Sequence, residues 1–190
     1  MNQRRQRLIL VGVFALFFIP VISAWVLRHN PVLIGTVNKG ILLEPPRAVS
    51  AAGLQVQHTP YPDVPLLLKT WTVITVAART CDADCTQNLY ATRQARAGIN
   101  KDYDRVRRIL VVTHALPAAE LEVLTREHPD LTVLVVTPAW LKTFEQDISH
   151  GPDTYIVDPR GFLFITYPVP TQSADIRKDL KRLLKISAVG

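Results

Sequence analysis

The strongest hydrophobic pattern of the chain is an uncharged apolar run over residues 8–27, close to the N-terminus. A helix of about 20 residues spans the hydrocarbon core of a bilayer, which is about 30 Å thick. Three arginines precede the run within residues 1–7, whereas only Arg28 follows it immediately. Because positively charged flanks stay on the cytoplasmic side, the pattern predicts a single-pass transmembrane anchor at 8–27, with residues 1–7 in the cytoplasm.

A cleaved signal peptide is the alternative interpretation of this run, because Ser23 and Ala24 offer small residues behind an apolar stretch. The run is longer than most signal h-regions, and Ile22 fits poorly at the third position before the cleavage site. The residues ahead of the run leave no room for an organelle transit peptide. We therefore expect a bacterial inner-membrane protein whose C-terminal domain is periplasmic.

Behind the anchor, proline and glycine interrupt the pattern. Residues 28–65 contain six prolines and three glycines. Such a density of breakers predicts an extended or turn-rich connector. Its short apolar pieces, such as residues 40–43, indicate that part of it packs on the domain that follows.

Residues 66–190 alternate regularly between strand and helix patterns. The strand-like segments are rich in β-branched and aromatic residues, whereas the helix-like segments carry apolar residues at helical spacing. The turn Asp158-Pro159-Arg160-Gly161 predicts a hairpin between the last two strands. The predicted strands are 70–78, 107–113, 132–137, 154–157 and 162–167, and the predicted helices are 85–97, 117–128, 138–147 and 173–186.

This order of elements predicts an α/β fold, a mixed sheet flanked by helices on both faces. It is the order of a thioredoxin-like fold with one additional strand–helix unit. Two cysteines, Cys81 and Cys85, follow the first strand at the start of the first helix. A thioredoxin-like fold carries its chemistry at that place. We therefore expect one thioredoxin-like domain over residues 66–190.

Charge adds little to this picture. From Arg28 onward, 19 Lys and Arg stand against 16 Asp and Glu. The sequence has no basic cluster with interleaved aromatic residues, so it gives no support to nucleic-acid binding. It also has no phosphate loop or acid–base pair. The last helix carries a basic stripe, which we expect to be a solvated face; contact with lipid headgroups or with an acidic partner is the alternative. The stripe consists of Arg177, Lys178, Lys181, Arg182 and Lys185.

Cys81 and Cys85 are the only cysteines of the chain, and they form a Cys-x3-Cys pair. Their spacing is about one helical turn, so both sulfur atoms can reach disulfide distance or share one soft metal ion. A thiol at a helix N-terminus loses its proton more readily, and the thiolate is the reactive form. An inert structural disulfide is the alternative, although so short a loop removes little entropy from the unfolded chain.

Two thiolates need a further ligand to hold a metal ion, and His150 is our candidate for that ligand. It precedes Pro152 and the first hairpin strand, in the loop that faces the cysteine pair in a thioredoxin-like fold. A solvent-exposed loop histidine is the alternative interpretation. The other histidines show no partner at ligand spacing and are expected on the surface; they are His29, His58, His114 and His128.

Together, these features resemble the Sco/SenC proteins, membrane-anchored copper chaperones and thiol oxidoreductases of cytochrome c oxidase assembly. The shared features are the anchor, the Cys81-x3-Cys85 pair behind a strand, and His150 before a Tyr-Ile-Val-Asp-Pro-x-Gly hairpin. The resemblance implies that copper is bound by Cys81, Cys85 and His150. It also implies that the partner is the copper-binding subunit of cytochrome c oxidase.

Three functions are compatible with this sequence. The first is copper binding and delivery to the binuclear copper centre of cytochrome c oxidase. The second is periplasmic thiol–disulfide oxidoreductase activity, in which Cys81 attacks and Cys85 resolves, reducing the copper-ligand cysteines of an oxidase subunit. The third is a structural assembly factor whose thiols are incidental.

Overall fold

The computed structural model describes residues 3–29, 38–63, 65–77, 81–144 and 153–187. The chain forms two compact units, Met1–Val37 and Asn38–Gly190.

The described residues of the first unit form one long helix, α1 (Gln3–His29). Its stretch Ile9–Val26 has a mean hydropathy of 2.6, and none of that stretch is buried. Exposed apolar side chains along the helix are expected where lipid rather than protein surrounds it. The helix is long and apolar enough to cross a membrane, which suggests a single-pass anchor.

In the second unit, the described residues form one seven-stranded mixed sheet. Its strands are β1 (Ile41–Ala48), β2 (Gln55–His58), β3 (Trp71–Ala77), β4 (Val106–Val112), β5 (Leu131–Val135), β6 (Thr154–Val157) and β7 (Phe162–Tyr167). Across the sheet, their order is β1-β7-β6-β3-β4-β5-β2. Strands β3, β4 and β5 are parallel, whereas β6 and β7 continue the sheet in antiparallel pairing. The predicted mixed sheet with flanking helices is confirmed.

The helices of this unit are α2 (Ala83–Ala97), α3 (Ala118–Glu127), α4 (Pro138–Leu141) and α5 (Ser173–Ile186), with a 3-10 turn at Asn100–Arg105. All seven residues of β3 are buried, since both faces of the sheet are covered. On one face, Val73 and Ala77 lie in apolar clusters that include residues of α2 and α5. On the other face, Ile74 packs in a cluster with Trp140 of α4.

Both edge strands come from the proline-rich segment that the sequence presents as a connector. Strand β1 pairs with β7, and β2 pairs with β5. Strand β1 contains Pro45 and Pro46, which cannot donate a backbone hydrogen bond and therefore suit an edge. The compact unit thus begins at Asn38 rather than at residue 66.

The start of this unit is held against α5 by a buried carboxylate. Asp179 is 1% exposed and accepts hydrogen bonds from the backbone N–H groups of Lys39 at 2.8 Å and Gly40 at 2.9 Å. The Tyr167 hydroxyl also donates to it, at 2.8 Å. Burial, and then the Asp179 charge, raises the pKa of Tyr167, so that the phenol keeps its proton. A side chain at Gly40 would collide with Ile165 and Tyr167.

A buried ionic cluster attaches α2 to β4. Arg96 and Arg108 are each 1% exposed, and each donates to one oxygen of Asp130 at 2.8 Å. Arg96 also donates to the Val106 carbonyl, and Arg108 donates to the Leu89 carbonyl, both at 2.6 Å. Burial lowers the pKa of Arg108 to about 10, which leaves it charged at neutral pH.

His128 lies beside this cluster, and the expectation that it is a surface residue is wrong. It follows α3 and is 3% exposed, because the turn into β5 brings it next to Asp130 and Arg108. Its Nδ1 atom is buried without a hydrogen-bond partner among the described residues. Burial, followed by the positive charges of Arg108 and Arg93, lowers the pKa of His128 to about 4.

This histidine should make the folded unit acid-sensitive. An unfolded histidine has a pKa of about 6.5, so the unfolded chain binds the proton first as pH falls. The free energy of unfolding should therefore drop by about 2 kcal/mol between about pH 7 and pH 5, over and above other groups. Urea unfolding of the detergent-solubilised chain measures this drop. The variant His128→Leu should lose it, whereas His114→Leu, at an exposed position, should keep it; equal pH dependence in all three proteins would contradict the interpretation.

Candidate functional site: a disulfide at the first turn of α2

The two cysteines form a disulfide at the start of α2. Strand β3 ends at Ala77, and Cys81 and Cys85 are bonded with their Cα atoms 5.0 Å apart. The two residues differ in exposure: Cys85 is completely buried, whereas Cys81 is only partly buried. A partner molecule can therefore reach the pair through Cys81.

Asp82 fixes the local geometry of this turn. It is the N-cap of α2, and its carboxylate accepts a hydrogen bond from the Cys85 N–H at 2.9 Å. Its carbonyl accepts from both the N–H and the hydroxyl of Thr86, each at 2.9 Å. Asp82 is therefore the capping carboxylate, whereas Asp84 lies within the first turn of the helix.

An apolar cluster packs beneath the Cys81–Cys85 disulfide. Cys85 belongs to a buried cluster that joins α2 to β4 and β5, and Cys81 packs against its margin. Leu116, in the loop after β4, belongs to the same cluster and is 5% exposed. This packing shields the Cys85 sulfur from solvent and leaves the first cysteine as the accessible one.

The helix N-terminus and the nearby carboxylates have opposite effects on the charge of the Cys81 thiol. The free N–H groups of the first turn of α2 favour a negative charge on Cys81. Asp82 and Asp84 are both exposed and place two carboxylates in the same turn. These carboxylates disfavour a thiolate and favour a bound cation.

His150 and Pro152 lie outside the described residues, so the ligand role of His150 stays a prediction. The next described residue, Asp153, is 3% exposed, and its carbonyl accepts a hydrogen bond from the Val76 N–H at 3.2 Å. Val76 lies near the end of β3 that leads to Cys81. Asp153, only a few residues after His150, is thus packed at the end of β3 that leads to the disulfide. No sequence pattern indicates the burial of Asp153, which only its position between Pro152 and β6 could have suggested.

Within the described ranges, no group of three or more His, Cys, Asp or Glu side chains is close enough to hold a metal ion. His114 follows β4 at the same edge of the sheet as the disulfide, but it is exposed, and its Nδ1 atom lies 2.9 Å from the Thr113 hydroxyl. The described residues therefore supply two sulfur atoms and no third ligand.

Comparison with known proteins supports the fold. Residues 71–187 match the protein family described as transmembrane-like, thioredoxin-like, C-terminal domain. No curated protein matches the chain in sequence. The thioredoxin-like fold predicted from the order of elements is confirmed.

Several solved structures share this fold. Yeast Sco1 with copper bound has a TM-score of 0.54 and 17% identity, covering 64% of this chain and 82% of that one. Arabidopsis thaliana ScoI with copper bound has a TM-score of 0.52 and 13% identity, covering 64% and 88%. The thioredoxin domain of a thiol-disulfide oxidoreductase from Bacteroides vulgatus has a TM-score of 0.51 and 13% identity, covering 72% and 97%. At these identities the likeness shows the fold alone.

Substitutions of Asp82 separate the effect of its charge on Cys81 from the effect of its N-cap hydrogen bond on stability. Asp82→Asn keeps an oxygen acceptor for the Cys85 N–H and removes the negative charge, so reduced Cys81 should be alkylated roughly threefold faster at neutral pH. Asp82→Ala also removes the cap and should cost about 1 kcal/mol of stability. Iodoacetamide kinetics followed by mass spectrometry measure the first effect, and urea unfolding measures the second. Asp63→Asn, at an exposed acid elsewhere, is the matched control; an unchanged rate in Asp82→Asn would show that its charge does not act on Cys81.

Proposed function

This chain belongs to the transmembrane-like, thioredoxin-like C-terminal domain family, and we propose that it is a membrane-anchored thiol–disulfide exchange protein. The observation that carries this proposal is the asymmetric pair at the start of α2. Cys85 is fully buried and Cys81 is accessible. One reachable sulfur and one sheltered sulfur within bonding distance are what a two-step exchange requires.

In the first step, the reduced Cys81 thiolate attacks one sulfur of a partner disulfide. The partner's S–S bond breaks, a mixed disulfide forms, and the departing partner thiolate takes up a proton. Cys85 then gives up its proton and attacks the sulfur of Cys81, which releases the second partner thiolate. Two electrons pass to the partner, and the protein is left with the Cys81–Cys85 disulfide. A second dithiol protein must reduce that disulfide before another cycle.

The proposed substrate is the pair of copper-ligand cysteines in an oxidase subunit, which must be reduced before copper binds. The Sco/SenC resemblance supports this choice. The excess of arginines at the start of α1, ahead of its apolar run, supports a periplasmic location for the folded unit. Attachment to the bilayer would raise the local concentration of the protein around a membrane-embedded partner.

Copper binding and delivery is the second proposed function. Its support is the chemistry of the donors: two thiolates whose Cα atoms lie 5.0 Å apart suit Cu(I). The exposed carboxylates of Asp82 and Asp84 would attract a cation. Two of the structures that share the fold, yeast Sco1 and Arabidopsis ScoI, are described with copper bound. In this proposal, Cys81, Cys85 and His150 hold copper as cargo and pass it to the binuclear copper centre of an oxidase by ligand exchange.

Exchange chemistry predicts unequal behaviour of the two single-cysteine variants. Cys85→Ser leaves the accessible thiol without its resolving partner, so it should accumulate a mixed disulfide with oxidised glutathione. Cys81→Ser should form at least about tenfold less, since its remaining thiol is buried. Intact mass spectrometry of both variants in detergent measures the adducts. Equal adduct formation would contradict the assignment of Cys81 as the attacking residue.

Copper binding predicts a different pattern. The reduced wild-type chain should bind one Cu(I), and Cys81→Ser or Cys85→Ser should abolish binding. His150→Ala should weaken affinity by at least about tenfold, or about 1.4 kcal/mol, while leaving disulfide exchange intact. Competition with a Cu(I) chelator measures these affinities, with His114→Ala as the matched control. Wild-type affinity in His150→Ala would remove His150 from the site, and no specific binding by the wild type would reject copper as cargo.

A further inference from the structure

Helix α5 presents a strongly basic face. Ile176, Leu180 and Leu184 bury its opposite side against the sheet and α2. Its basic residues are all exposed: Arg177, Lys178, Lys181, Arg182 and Lys185. Of the two acidic residues on the helix, Asp179 is buried, and only Asp175, in the first turn, is partly exposed.

This helix holds the excess positive charge of the folded unit. Residues 38–190 carry 18 Lys and Arg against 16 Asp and Glu. Outside α5, the same unit carries 13 basic against 14 acidic residues. The positive field is therefore concentrated on a single helix face rather than spread over the surface.

The basic helix also lies where the chain enters the folded unit. The Asp179 carboxylate binds the backbone N–H groups of Lys39 and Gly40, so its charge is used internally and does not neutralise the outer face. The same contacts place the first residues of the unit directly against α5. The chain that arrives here comes from α1, the apolar helix that suggests a membrane anchor.

We propose that the exposed basic face of α5 binds the anionic phospholipid headgroups of the bilayer in which α1 is anchored. Charge complementarity and the anchor on the same chain favour a bilayer over an acidic protein. Each Lys or Arg near an anionic surface strengthens binding by about fivefold. Ile186, the last residue of the helix, is 77% exposed, and its apolar side chain can enter the headgroup layer beside Lys185.

Docking through α5 keeps Cys81 available. The carbonyls of Leu184 and Ser187 accept hydrogen bonds from Arg105, which directly precedes β4. The C-terminal end of α5 therefore lies at the edge of the sheet where β3 and β4 begin. The disulfide lies past the other end of β3. Lipid binding would fix the orientation of the folded unit, independently of which chemistry Cys81 performs.

Lysine footprinting of the wild-type full chain tests this proposal. The chain is placed in nanodiscs of phosphatidylcholine alone, or with about one third phosphatidylglycerol, and acetylated briefly with an N-hydroxysuccinimide ester. Lys178, Lys181 and Lys185 should react at least about threefold more slowly in the anionic discs. Lys69 and Lys142, on other surfaces, should react equally in both. About 0.5 M NaCl should remove the difference by screening.

A pair of variants with matched charge loss sharpens the test. Arg177→Gln with Arg182→Gln should weaken docking by about 25-fold and abolish protection of the three lysines. Arg126→Gln with Arg160→Gln removes the same charge from exposed side chains elsewhere, and in this variant the three lysines should remain protected. Equal acetylation of wild-type α5 in both discs would overturn the proposal, as would equal slowing of Lys142. Protection by soluble polyglutamate but not by anionic discs would overturn it in favour of an acidic protein partner.

Discussion

The burial of Cys85 in the first turn of α2 constrains everything that this pair can do. Its sulfur lies over an apolar cluster shared with β4 and β5, and its N–H is bound by the Asp82 carboxylate. Cys81 stands just outside the helix with part of its surface open. In the proposed exchange, this difference in exposure sets the order of reaction: a partner reaches the Cys81 sulfur first, and the buried Cys85 sulfur attacks second.

The burial of Cys85 is maintained only if α2 cannot shift, and an ionic cluster fixes the C-terminal end of this helix. Arg96, in the last turn of α2, and Arg108, on β4, share the carboxylate of Asp130. Neither arginine is accessible to water, so separating them from Asp130 would leave buried charge without a partner, which costs several kcal/mol. The helix is thus fixed at both ends, by a cap and a buried cysteine at its start and by an ionic cluster at its end.

Local patterns predicted much of this architecture. The hairpin strands 154–157 and 162–167 and the helix 173–186 coincide with the observed elements, because their periodicity is strong and their ends carry clear turn signals. Strand β1 is not predicted from the sequence, because its two prolines are typical of segments that interrupt secondary structure. A strand can contain them here because it lies at the edge of the sheet. The cluster of Arg96, Arg108 and Asp130 joins residues far apart in sequence, so no local pattern could indicate it. For the same reason, His128 was assigned to the surface.

The placement of the cysteine pair was predictable, since a strand followed by a helix positions it whatever surrounds it. The contribution of His150 depends on a long-range approach that the sequence suggests through resemblance alone. The two proposed chemistries share Cys81 and Cys85 and differ in this third residue. Both require that the disulfide open and close under physiological conditions, and an inert structural crosslink would satisfy neither.

The reduction potential of the Cys81–Cys85 pair in the intact chain is therefore the most direct test. Equilibration with glutathione buffers, followed by alkylation and mass spectrometry, measures it. Disulfides that exchange with partners have potentials between about −270 and −120 mV, and a reactive Cys81–Cys85 pair should have a value in that range. A value below about −300 mV, typical of structural disulfides, would contradict the assignment of this pair as reactive.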